Sequence, residues 1–199
     1  MKADTKERIL VEGAKLVHLK GFGSTGIQEI LKAAGVPKGS FYFYFKSKED
    51  FGLQLIDFYK EYIYGIWEKL TCEESMTPLQ GLKRYFEWFL SLNERNGYRG
   101  GCPFGNLGQE MADINIRFRE KLQAVYTEFK NDIKKVLIQA RGQGEISEEL
   151  DPEELSDLIY SSFQGALIQM KVSGGPESMN NFNNLFFRLV TNYNGKDNN

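Results

Sequence analysis

The stretch TGIQEILKAAGVPKGSFYFYFKSKEDF, residues 25–51, decides how the chain is read. Thr25 with Gln28 has the spacing of a capping box, in which the Thr hydroxyl takes an orphan helix amide and the Gln reciprocates. The short helix it predicts turns Ile27, Ile30, Leu31 and Ala34 inward and stops at Gly35. Pro37 suits a first helical position, so a second short helix is expected over about 37–44. Ser47 with Asp50 then opens a long helix over about 48–70, with Phe51, Leu55, Tyr59, Tyr62, Ile66 and Leu70 as its inner stripe. Two short helices joined at Ala34-Gly35-Val36 match a helix-turn-helix, whose second helix enters the major groove of DNA.

Along the rest of the chain, apolar residues recur every three or four positions and no alternating strand pattern is present. A first helix is expected over about 4–20. Beyond residue 70, Thr77-Pro78, Pro103 and Asp151-Pro152 mark helix starts. Asn96-Gly97, Gly142, Gly144 and Gly174-Gly175-Pro176 mark stops. The expectation is an all-α chain of about nine helices, with a tail at 194–199 that frays. Its organisation is a three-helix head over 1–47 and a second helical domain over 48–199. The 199 residues bury enough surface to need no disulfide or metal.

Composition narrows the function. Net charge is -2, with hydrophobic residues at 41% and charged residues at 26%, ordinary for a globular chain. The charge is unevenly placed. Residues 1–50 carry nine Lys/Arg against six Asp/Glu, a net +3, and the remainder carries a net -5. Only the head is suited to meet a polyanion. No run approaches a membrane span, and two cysteines with no export-type leader suggest a reducing cytoplasm. With one histidine and no His/Cys cluster, no metal or cofactor is expected. A Gly-x-Ser-x-Gly elbow and a phosphate loop ending in Lys-Ser/Thr are also missing, so no catalytic set is assigned.

The residue chemistry of the second short helix suits a duplex. Lys38 and Lys48 supply charge for phosphates. Gly39 lets backbone approach a phosphate closely. Ser40, Tyr42 and Tyr44 carry hydroxyls for phosphates or base edges. Phe41 and Phe45, four apart, would anchor the helix to a core. A buried aromatic strand is the competing reading of FYFYF, but five consecutive aromatics cannot all face inward on a helix.

This segment resembles the DNA-binding part of the TetR family of bacterial regulators. The helix start, the Ala-Gly-Val turn, Lys-Gly-Ser before an aromatic run and Lys-Ser-Lys-Glu all occur in order. The remainder is similar in helix count and length, and GCPFGNL (101–107) resembles a segment found in some subgroups at the start of the sixth helix. The resemblance implies that Thr25 and Gln28 also touch DNA. The chain departs from it at Tyr44, where the family often has His; Tyr can still donate to a phosphate but carries no charge near neutral pH.

The second domain offers more inward-facing bulk than its core requires. Trp67, Phe86, Phe89, Phe104 and Phe163, with Cys102 and the polar Asn106, Tyr126 and Gln164, are candidates for an effector pocket, although each also suits an ordinary core. Cys102 precedes a predicted helix start, where a thiolate is stabilised, and so is a candidate electrophile or oxidant sensor. The faces carrying Leu158, Leu167, Phe182, Leu185, Phe186 and Leu189 suit a four-helix dimer interface, as the resemblance implies; they also suit an intramolecular core, and different residues can serve each. The reading is a homodimeric repressor on a palindromic operator, released by a small-molecule or electrophile effector. The alternative is a helical scaffold or partner-binding protein without DNA activity.

Overall fold

Glycine, proline and short polar side chains set where the helices begin and end. The computed structural model describes residues 5–73 and 75–192. Among these are nine α-helices and no strand: α1 Thr5–Lys20, α2 Ile27–Ala34, α3 Phe41–Tyr44, α4 Lys48–Thr71, α5 Pro78–Arg95, α6 Pro103–Met111, α7 Ile116–Gly142, α8 Pro152–Ser173 and α9 Glu177–Asn192. The all-helical expectation holds. The expected fraying at 194–199 lies outside the described residues.

The end of α2 shows the local logic. Gly35 adopts φ +63°, a left-handed conformation that costs other residues a steric penalty. Its amide and that of Val36 turn back onto Lys32 and Leu31 carbonyls, satisfying orphan acceptors in the usual helix-ending manner. Thr77 and Gln80 form a complete capping box on α5. The Asp151 carboxylate accepts from the Glu153 amide at 2.7 Å to start α8.

Three local expectations are corrected. The Thr25–Gln28 capping box does not form: Gly26 is the N-cap of α2, without a side-chain bond. Thr25 is fully buried and donates its hydroxyl to the Gly21 carbonyl at 2.7 Å, so it braces the preceding turn. The second short helix is split, a 3-10 turn over Lys38–Ser40 leading into α3. On α4, Ile63 and Trp67 are buried while Tyr62 is exposed. From Tyr59 onward the inward stripe advances in steps of four, so it misses Tyr62 and Ile66.

At the start of α4, the Asp50 amide donates to Ser47 Oγ at 3.0 Å and the Asp50 carboxylate accepts from the Lys46 amide at 2.8 Å. That backbone bond, aided by the Gln54 side chain and by Lys46 and Arg117, holds the Asp50 carboxyl below the usual carboxylate range. Its contribution to stability is complete above that range and disappears as pH falls through the depressed value.

The chain packs as two units. The first comprises Met1–Ile63 and Cys102–Ala124. Its core includes Ile9, Ile30, Phe41, Phe45, Phe51, Leu55, Phe104 and Phe118. Tyr59 donates to the Ala14 carbonyl at 2.7 Å, and burial pushes its hydroxyl pKa up. Gly52 leaves no room for a methyl group, which would stand 2.5 Å from the Phe118 ring and 2.6 Å from Phe22.

The second unit comprises Tyr64–Gly101 and Val125–Asn199. Its centre is aromatic, with Phe86 lying 4.9 Å from Phe163 and 5.0 Å from Phe182. Buried Asn93 organises the turn after α5, donating to the Phe89 carbonyl and accepting the Gly101 amide, each at 2.9 Å. Glu145 ties the start of α5 by accepting from the Leu79 amide and the Thr77 hydroxyl.

Candidate nucleic-acid interface

A helix of four residues is too short to stand without tertiary support. α3 has that support. Phe41 and Phe45 are both fully buried, 5.1 Å apart, and each packs on Phe51 of α4. The anchoring predicted from their spacing is therefore present, and it decides what the intervening residues do. With positions 41 and 45 inward, positions 42 and 43 must point out. Tyr42 is 66% exposed and Phe43 82% exposed, while Tyr44 is half-buried, edge-on to Phe43 at 4.9 Å. Lys38 and Gly39 are exposed and Ser40 is half-buried. No heavy atom approaches a Cβ built at Gly39 within 4 Å, so the backbone there is open to an incoming group.

The remaining predicted residues divide. Gln28 is exposed on α2. Thr25 is buried and engaged with Gly21, so its side chain offers nothing to an outside partner. Lys48 is half-buried, donates to the Gly23 carbonyl at 3.1 Å and lies 4.8 Å from the centre of the Phe22 ring. It braces the α1–α2 turn.

Two residues of this region escaped the sequence reading. Phe43 is a large apolar side chain left in solvent beside Tyr42. Its position two residues after an anchored Phe41 was the available signal, since neighbours two apart on a helix lie on opposed faces. Arg8 on α1 donates to the Ala34 and Gly35 carbonyls, the latter at 3.1 Å. It holds the turn that leads to α3, and a partner 26 residues away leaves no mark in local spacing.

The effector candidates also divide. Phe163 packs on both Phe86 and Phe89 in the second unit, and Trp67 packs against Tyr85 there. Tyr126 and Gln164 are half-buried in the same unit. Cys102, Phe104 and Asn106 belong to the first unit. Cys102 is buried as the N-cap of α6, its Sγ accepting from the Gly105 amide at 3.5 Å, and Asn106 is half-buried. An open cleft of about 530 Å³ in the first unit is lined by Asp50, Gln54, Asp57, Arg117, Glu120 and Lys121, none of them a predicted effector residue.

The dimer candidates divide. Leu167 and Phe182 are buried within the chain, as the inward phase of α8 and α9 requires. Leu158, Leu185 and Leu189 are exposed and Phe186 half-buried. The outward stripe of α8 continues through Gly165, Ile168 and Val172.

A helix-turn-helix head whose short recognition helix exposes Tyr42 and Phe43 after a turn with an exposed Lys38, joined to a helical body, defines a regulator of transcription. A family profile described as bacterial regulatory proteins, tetR family, matches residues 9–55. A second, the tetracyclin repressor-like C-terminal domain, matches residues 78–186. The chain is 37% identical over 177 residues to the transcriptional regulator AcuR of Cereibacter sphaeroides, covering 88% of this chain and 81% of that protein. It is 28% identical to the transcriptional repressor DhaR of Mycobacterium sp. strain GP1, over 95% of this chain and 93% of the relative. A crystal structure of a TetR regulatory protein from Rhodobacter sphaeroides superposes with a TM-score of 0.87 at 35% identity, covering 92% of this chain and 96% of that one. The chain belongs to the TetR family and is a DNA-binding transcriptional regulator. Among the described residues no helix is long and apolar enough to cross a membrane.

Proposed function

We propose that this regulator is a cytoplasmic repressor that binds a palindromic operator as a homodimer and is released by a small-molecule effector. The observation that carries the reading is the division of labour in α3: buried Phe41 and Phe45 fix the helix, and exposed Tyr42 and Phe43 face outward. Lys38, Gly39, Ser40, Tyr42 and Tyr44 meet phosphates and base edges, with Gln28 beside them. Phe43 adds apolar contact suited to a thymine methyl. Thr25 and Lys48 act from behind, holding the turn that carries the reading surface.

The head over 1–47 reads DNA, and residues 48–199 bind effector and dimerise. Leu158, Leu185, Leu189 and Phe186 form the self-complementary face that a twofold dimer requires. The aromatic group of Phe86, Phe89 and Phe163, with Trp67, Tyr126 and Gln164, takes an apolar effector carrying a few polar groups. Cys102, Phe104 and Asn106 make α6 responsive, and an electrophilic effector would act at Cys102. The repressor relative supports the sign of regulation.

Binding to duplex DNA from the region upstream of the protein's own gene, measured against salt, tests the reading. Lys38→Ala should weaken binding to every sequence and lower the salt slope by about one unit. Tyr42→Ala should weaken binding with little change of slope. Affinity that ignores salt, or both variants binding as the unaltered protein does, would refute the proposal.

A further inference from the structure

The turn between α1 and α2 is gripped by a carboxylate that lies far away in sequence. Glu110, on the last turn of α6, accepts the Phe22 amide on Oε2 at 2.7 Å and the Gly23 amide on Oε1. Eighty-eight and 87 residues separate the partners. A carboxylate taking two backbone amides makes a charge-assisted, two-pronged contact, stronger and more directional than a single neutral bond.

The seat is shaped for it. A Cβ built on Gly21 would stand 3.1 Å from Glu110 Oε2, and one on Gly23 would stand 2.8 Å from Oε1. A side chain at either position would press on the carboxylate and push it off the amides, and Gly21, at φ +88°, also has the left-handed backbone that favours glycine. The opposite side of the turn is held by Lys48 on the Gly23 carbonyl, and the Phe22 ring between them packs on Phe118 at 5.2 Å. Thr25 closes the same turn from below through Gly21. Residues 21–25 therefore have little freedom of their own, and α2 starts directly after them.

The geometry points to Glu110 as the positioning residue that couples α6 to the DNA-reading head, a deepening that rests on the DNA-binding reading above. α6 is a single rod of nine residues with Cys102 at its N-cap and Glu110 in its last turn, spanning about 14 Å. A shift or tilt of that rod moves the carboxylate relative to two amides at once. The turn then loses its fixed position, and α2 and α3 lose theirs. Effector events at the start of α6 reach the operator by this path.

Coupling between two sites is reciprocal, so the path can be read backwards without knowing the effector. The experiment is hydrogen–deuterium exchange of α6 amides in the full-length protein, with and without duplex from the gene's own upstream region. It is run on the unaltered protein, Glu110→Ala and Gly23→Ala, with DNA binding followed in parallel. Gly23→Ala leaves Glu110 in place but crowds its oxygen, so it tests the same contact should Glu110→Ala fold poorly. DNA should slow α6 exchange about fivefold or more in the unaltered protein, and less than about twofold in either variant at saturating duplex. A purely structural Glu110 would lower melting temperature but leave the slowing intact, which overturns the coupling. Unchanged α6 exchange in the unaltered protein, once it has bound DNA, overturns it too. Absence of binding by the unaltered protein removes the DNA-reading premise and the coupling together, and the binding isotherm identifies that case.

Discussion

Replacing Leu158 and Leu189 together by Glu is expected to leave each chain folded yet reduce operator affinity by about 10²–10⁴-fold, the range lost when two linked contacts become independent. Both side chains are 59% exposed in the isolated chain, so charge there costs the subunit little. Across a twofold axis the same charges would face their own copies in a desolvated interface, where like charges disfavour association. Sedimentation should report a monomer with unaltered helix content. One recognition helix then has to bind alone, without the second half-site that makes the pair tight. A double variant that still sediments as a dimer and binds operator normally would place the interface elsewhere. Leu167 and Phe182 are unsuitable for this test, because both are buried within the chain and their loss would unfold it.

Phe45→Ala is expected to cost about 3–5 kcal/mol of stability, as for a buried Phe truncated where surroundings cannot collapse. Phe45 is fully buried, its ring 5.1 Å from Phe41 and 5.2 Å from Phe51. Without it α3 has one anchor and no means of holding Tyr42 outward, so DNA binding should disappear with the lost melting temperature. Phe43→Ala is the contrast. Its side chain is 82% exposed, and a surface change of this kind moves stability by less than about 0.5 kcal/mol. It should nevertheless weaken operator binding. Equal destabilisation by the two substitutions would mean that the inside and outside of α3 are wrongly assigned.

Residues with local physical causes could be read directly from sequence. Gly35, Thr77-Pro78 and Asp151-Pro152 stop or start helices through their own backbone preferences, and they do so in the structure. The Phe41–Phe45 anchor follows from helical spacing. Thr25 has the spacing of a capping residue, but its hydroxyl goes to Gly21, because the packing of α2 on α1 turns that side chain inward. Leu158 and Leu167 sit on one amphipathic helix; which is outward depends on the phase of the buried stripe, and nine residues amount to half a turn more than two. Arg8 and Glu110 were invisible for a different reason. Each is an ordinary surface charge in sequence, and only tertiary folding sets it against a backbone turn dozens of residues away.

Hydroxyl-radical footprinting on the upstream duplex shows whether a twofold pair of α3 helices reads the operator. Two copies of α3 related by a twofold axis should protect two patches on one face of the helix, centred about 34–36 Å apart or a whole multiple of that, and Tyr42→Ala should weaken both together, each patch then needing more protein for the same protection. A single unrepeated patch, protection scattered without helical phase, or Tyr42→Ala protecting at the same protein concentration as the unaltered protein would contradict it.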